Sequence, residues 1–230
     1  MKITILTLFK DVCESYVNSS IIKRAISNNL IEIEIIDIRK YSQNKHNKVD
    51  DYAFGGSPGM VLKLEPIVNA INSIKQVNSK IILTSPCGEP LTQTKLLSLS
   101  KEKHLIIIAG HYEGVDARIS NFIDETISIG DYILTGGELP ALIITDGVSR
   151  LIPNVINKES LANESFDQFL LDFPVYTQPA SYNGLKVPEI LLSGNHKKIK
   201  EYQREEQIRI TKEKRPDLYQ KFLERNKNEN

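Results

Sequence analysis

Three short segments combine glycine with apolar and hydroxyl residues in a way that suits ligand binding. They are TSPCGEP at 84–90, AGHYEGVDARI at 109–119 and SIGDYILTGGELPA at 128–141. The first two follow strand-like apolar runs and the third is read as a further strand end, and ligands of open α/β sheets sit beyond the carboxyl ends of strands. Glycine lets a ligand approach the main chain and permits positive φ. The third segment places Gly130, Gly136 and Gly137 among Ile129, Ile133, Leu134 and Leu139. Main-chain N–H and C=O groups beside an apolar wall suit an uncharged heterocycle such as adenine better than a triphosphate. One such loop would read as a tight turn; three at strand ends read as the walls of one pocket.

The common nucleotide signatures are missing. No GxGxxG follows a strand and opens a helix, and no GxxxxGK[ST] occurs, which disfavours a standard dinucleotide fold or a P-loop. The two cysteines, Cys13 and Cys87, form no CxxC, and the four histidines form no HExxH. A disulfide framework or structural zinc is not expected. Net charge is zero over 230 residues, with 25% charged residues, which excludes a chain-wide basic surface but not a local one. No apolar run reaches membrane-spanning length and MKITILTLFKD is too short for a signal peptide. The expected location is the cytoplasm.

The elements that would position these loops alternate. KITILTL, IEIEIIDI, KIILTS and HLIIIAG read as strands. Residues 19–30 (as the end of a helix), 65–77, 92–100 and 114–122 read as helical. The expected class is α/β with a parallel sheet covered on both faces. Residues 39–57 read as a long polar loop ending in FGGSPGM. Pro140 suits the first turn of a helix running through ALIITDGVSR, and Arg150 closes it, where its planar fork could serve a ligand or complement the helix dipole. After Pro153 the composition changes. The division expected is a ligand-binding domain at 1–156, a linker at 157–170 and a helical domain at 171–230. The last carries Lys197, Lys198, Lys200, Arg204, Arg209, Lys212, Lys214 and Arg215, interleaved with Glu201, Glu205, Glu206 and Glu213. Charge alone leaves two readings, a salt-bridged helix face or a surface for nucleic acid.

FGGSPGM, SPCGEPLTQ, GHYEGVDARI, SIGDYILTGGELPA, SRLIPNV and LLSGNHKKI occur in the order and spacing of the bacterial tRNA (guanine-N1)-methyltransferases, which the chain resembles over nearly its whole length. The resemblance implies a sheet with a deep trefoil knot, S-adenosylmethionine as cofactor, and methylation of N1 of the guanosine immediately 3′ of the tRNA anticodon. It implies a homodimer in which the linker of one subunit closes the active site of the other, and magnesium assistance, with Glu113 a contributor. By motif match the cofactor site comprises Leu83, Thr84, Ser85, Pro86, Gly110, Tyr112, Glu113, Gly114, Ser128, Ile129, Gly130, Asp131, Tyr132, Ile133, Leu134, Gly136, Gly137 and Pro140. The RNA-contacting set is Asp50, Gly55, Gly56, Pro58 and Gly59 at the target guanosine, with Ser193, Asn195 and His196 as an N-capped helix start toward a phosphate.

Transfer to guanine N1 needs a base for the N1 proton and a donor for the charge that develops on O6. The resemblance assigns Arg150 to O6. It places a base just before a Ser-Phe pair, where this chain has Glu164 instead of the usual aspartate; Asp172 is the backup. His111 stands where arginine is frequent, and Val175 and Gln178 where histidine and arginine are common. A knotted enzyme for another RNA, or a non-catalytic RNA-binding protein that kept the fold, are the competing readings.

Overall fold

The computed structural model describes residues 1–56, 58–157 and 164–228. They fall into two units, Met1–Asn157 and Lys158–Asn230. In chain order the first holds β1 (Lys2–Thr7), α1 (Lys10–Val17), α2 (Ser20–Ser27), β2 (Glu32–Asp37), β3 (Asp50–Tyr52), β4 (Met60–Leu62), α3 (Leu64–Ile74), β5 (Ser79–Pro90), α4 (Gln93–Leu99), β6 (His104–Ala109), β7 (Glu125–Ser128) and α5 (Glu138–Ser149).

Five strands form a parallel sheet in the order β2-β1-β6-β5-β7. Their residues are β-branched and apolar because both faces are covered. Side chains alternate between two cores. Ile3, Ile5, Ile82, Leu105 and Ile107 pack with α1, α2, α4 and α5 on one face. Leu6, Leu83, Ile106 and Ile108 pack on the other with α3 and two 3-10 turns, Ile38–Tyr41 and Ala117–Asn121.

The structure corrects the sequence expectations in three places. The helix expected to end at residue 30 is a separate element, α2. Ser19, in an extended conformation, divides it from α1. Asn29 at φ +55, followed by Leu30 N–H donating to the Ala25 carbonyl, stops it. The polar stretch 39–57 is not one loop, since β3 pairs antiparallel with β4. The helix expected at 114–122 is only the 3-10 turn. Gly114 has φ +124 and the Asp116 side chain accepts from the Arg118 N–H, so helical backbone cannot begin before 117.

The second unit holds a small hairpin, β8 (Ser181–Tyr182) with β9 (Leu185–Lys186), and the helices α6 (Glu189–Leu192), α7 (His196–Lys214) and α8 (Pro216–Asn228). The Asn195 side chain caps α7 by accepting from the Lys198 N–H. Leu218 and Phe222 of α8 and Leu170 are buried, and Leu171 N–H donates to the Thr211 hydroxyl at 2.8 Å. Among the described residues no helix is long and apolar enough to cross a membrane.

His104, 2% exposed, opens β6 at the end of the sheet away from the glycine loops. Its Nε2 lies 2.9 Å from the Thr4 hydroxyl and its Nδ1 2.8 Å from that of Ser79. Burial, then the neighbouring Lys2 charge, holds its pKa below the ordinary 6.5. The folded chain therefore favours the neutral ring. This contribution is present above the unfolded value and is lost as pH falls toward the folded one. The thermal midpoint is expected to drop between pH 7.5 and 5.5, with a shallower fall in His104→Gln; equal pH slopes would exclude His104 as the source.

Candidate functional site

Three strand ends build one cavity. In β5 the register against β7 shifts between Thr84 and Glu89, both of which pair with Ile127. The four residues between them bulge out of the sheet as a lip. The main chain after β6 turns at Gly110, and the chain after β7 runs through 129–137 before α5 begins. The cavity between them measures about 460 Å³, within the range of small-molecule sites.

Every residue expected to hold the cofactor lines this cavity except Asp131, and Cys87, His111, Val115, Ile127 and Thr135 line it as well. Asp131 is exposed and is corrected from lining to loop surface. Four of the additions fall within the three motifs, and Ile127 immediately precedes the third. The lining combines main chain and apolar groups with the polar side chains of Glu113, His111, Tyr112 and Tyr132 and the hydroxyls of Thr84, Ser85, Ser128 and Thr135. Burial first, then the Asp50 carboxylate beside it, raises the Tyr112 hydroxyl above its usual pKa.

The β3–β4 hairpin is stitched to this cavity. Glu113 N–H donates to Met60 O at 3.0 Å, Leu62 N–H to Gly114 O at 2.9 Å and Asp116 N–H to Leu62 O at 3.0 Å. FGGSPGM spans the hairpin's turn; Ser57 lies outside the described residues. Gly59 sits at φ +89, and a Cβ there would meet Glu113 Cγ at 2.5 Å. Gly55 also has positive φ, at +91, but open space around it. The residues expected to meet RNA and those expected to hold the cofactor thus share one backbone ladder. Phe54, fully exposed at the turn, and Tyr52 beside it are aromatic surfaces that the sequence reading did not single out.

The remaining expected residues lie elsewhere. Arg150 is the C-cap of α5, whose first turn borders the cavity. The helix has 12 residues, so at 1.5 Å per residue its ends are about 18 Å apart. Arg150 is not among the residues that line the cavity. Glu164, half-buried, belongs to the second unit, and 158–163 of the expected linker lie outside the described residues. Asp172 accepts from the Phe173 N–H, and its own N–H donates to the Ser165 hydroxyl, which is a structural role. In the last unit Arg209 is bridged to Glu206 and Glu213, and Arg215 to Asp217. The salt-bridged reading holds for those two. Ser193, Asn195, His196, Lys197, Lys198 and Lys200 are exposed at the start of α7.

A parallel α/β sheet whose strand ends fold three glycine loops around one cavity defines a protein with a small-molecule-sized site at its strand ends. Comparison with known proteins narrows the class. The model of the family described as tRNA (Guanine-1)-methyltransferase TrmD matches residues 1–221. The chain is 55% identical over 226 residues to the tRNA (guanine-N(1)-)-methyltransferase of Malacoplasma penetrans, covering 98% of this chain and 100% of that one. It is 54% identical to the Ureaplasma parvum enzyme of the same name over 99% and 100% of the two chains, and 52% identical to that of Mycoplasma genitalium over 100% and 99%. The chain belongs to the tRNA (guanine-1)-methyltransferase family.

Gly59→Ala and Gly55→Ala would share the penalty of a side chain at positive φ, but only the first drives a methyl into Glu113. Gly59→Ala is therefore expected to destabilise by up to about 1 kcal/mol more than Gly55→Ala in denaturant unfolding, the cost of pushing the exposed Glu113 side chain off its rotamer. Equal losses would mean that Glu113 does not rest on Gly59.

Proposed function

We propose that this methyltransferase transfers a methyl group from S-adenosylmethionine, held in the cavity, to N1 of the guanosine immediately 3′ of the anticodon in tRNA. The observation that carries the reading is the single cavity formed by the three motif loops in a chain that belongs to the family. The cavity fits the group. Main-chain groups of 110–114 and 128–137 can bond an adenine edge, while Ile129, Leu134, Pro86 and Pro140 offer apolar faces. When bound, the cofactor supplies a sulfonium-activated methyl. The same reading makes the path through β5, β7 and α5 a trefoil knot, a topology that connection rules alone would discard.

The chain's own residues then position and deprotonate. The hairpin turn with Gly55, Gly56, Pro58 and Gly59 receives the extracted guanine, with Phe54 offering a stacking surface. Glu164 takes the N1 proton, and Arg150 donates to O6 as negative charge develops there. Since α5 separates Arg150 from its own cavity, the donor serves the cavity of a second copy. A homodimer is further supported by an exposed apolar stripe: Phe9, Val12 and Tyr16 at and along α1, with Leu139 and Ile143 on α5. Their spacing of three and four residues puts each set on one helix face. The exposed lysines at the start of α7 hold tRNA phosphates. Among the described residues no three His, Cys, Asp or Glu side chains gather into a metal-binding group. Glu113 lines the cavity without such companions, and no step is assigned to magnesium.

The test is transfer from radiolabelled S-adenosylmethionine to two tRNA transcripts, one with guanosine and one with adenosine 3′ of the anticodon. Label is expected in the first alone; label in both, or in neither, contradicts the assignment. Glu164→Gln is expected to lower the rate about 10²-fold or more with cofactor binding preserved. An unchanged rate would remove Glu164 as the base.

A further inference from the structure

Glu138 is a buried acid that the chemistry above does not use. It is 6% exposed, follows the N-cap Gly137 in the first turn of α5, and is not among the residues lining the cavity. Its Oε1 accepts from the Thr7 hydroxyl at 2.8 Å, at the end of β1. That hydroxyl in turn accepts from the Phe9 N–H at 2.9 Å. Glu138 Oε2 lies 3.7 Å from His111 Nδ1, a buried nitrogen that has no hydrogen-bond partner among the described residues. Between these two atoms runs Gly136: a Cβ there would sit 2.4 Å from Oε2 and 2.5 Å from Nδ1. His111 and Gly136 are also joined by an isolated antiparallel bridge.

One carboxylate therefore reaches the end of β1, the loop after β6 and the loop before α5. Both loops are walls of the cavity. Burying a carboxylate costs several kcal/mol unless it is well paired. Among the described residues one neutral hydroxyl, that of Thr7, donates to it, and the N-terminal end of α5 adds a favourable dipole. An apolar side chain of the same size would serve stability at least as well, so the acid's value lies in placement. Its charge faces inward across α1 as well: burial first, then Glu138, pushes the Cys13 thiol up to about 11.

We propose that Glu138 is a positioning residue that clamps the loops at 110–114 and 129–137 together, and so sets the affinity for the cofactor rather than for RNA. The proposal rests on the reading of the cavity as the cofactor site. Nothing in it requires Glu138 to touch the ligand. Glu138→Gln keeps an oxygen that accepts from Thr7 and keeps the side chain's shape; Glu138→Ala removes both.

The experiment compares wild type, Glu138→Ala and Glu138→Gln in two ways. Amide hydrogen exchange is followed in the ligand-free chain, and S-adenosylmethionine binding is titrated by calorimetry, with KM measured for cofactor and for tRNA. Glu138→Ala is expected to speed exchange in both loops and weaken cofactor Kd and KM about tenfold or more. The KM for tRNA should stay within about twofold, because only one substrate's site is disturbed. Glu138→Gln should restore both readouts. Wild-type affinity in Glu138→Ala would overturn the proposal, as would equal rises in both KM values with protection lost throughout the fold. A wild-type chain that takes up no S-adenosylmethionine, while loop exchange still responds to Glu138→Ala, would sink the cofactor reading and leave the clamp standing.

Discussion

The site depends on two stretches of main chain meeting without side chains between them. Gly137 N–H donates to Gly110 O at 2.6 Å, and a Cβ on Gly137 would fall 2.5 Å from Gly110 N and from the Thr84 hydroxyl oxygen. Any other residue at 137 forces the start of α5 away from the end of β6. The Thr84 hydroxyl, bonded to Ile108 O, fixes the β5 side of the same junction. The ends of β5 and β6 and the start of α5 are thereby pinned at one point. The bulge after Thr84 and the run 129–137 close around the space above it. Gly137 is explained by this contact: it stands where an apolar region must also let backbone touch backbone.

The same geometry bears on the proposed division of work between two copies. The cavity lies at the start of α5 and Arg150 at its end, so the helix separates the proposed O6 donor from the proposed cofactor site of its own chain. The apolar stripe along α1 and α5 lies on the helix that creates the separation. The hairpin ladder through Met60, Leu62, Glu113 and Gly114 works in the opposite sense. It couples the turn proposed to receive the base directly to a cavity wall within one chain.

Much of this was legible in the sequence, and the limits are physical. Four of the five sheet strands were readable from their apolar residues; β7 was not, because its four residues, ETIS, carry no apolar run. The cavity was readable because glycine-rich loops at strand ends have few other uses. The β3–β4 hairpin was not, since three-residue strands leave no alternation to see. The helix expected at 114–122 failed because Gly114 and the Asp116 cap decide the local backbone, and apolar spacing does not report either. Glu138 looks like an ordinary first-turn acid, and its hydroxyl partner Thr7 is 131 positions away in the chain. Glu164 and Arg150 acquired roles only from the resemblance; neither carries a local signal that separates a base or donor from a linker acid or a helix-capping arginine.

The measurement that tests the account most directly is calorimetric titration of S-adenosylmethionine into Gly137→Ala, with cooperative thermal unfolding as the check that the chain still folds. The account predicts a folded protein with no saturable binding at concentrations that saturate the wild type. Wild-type affinity in that variant would mean that the bare contact between Gly110 and Gly137 does not make the cofactor site.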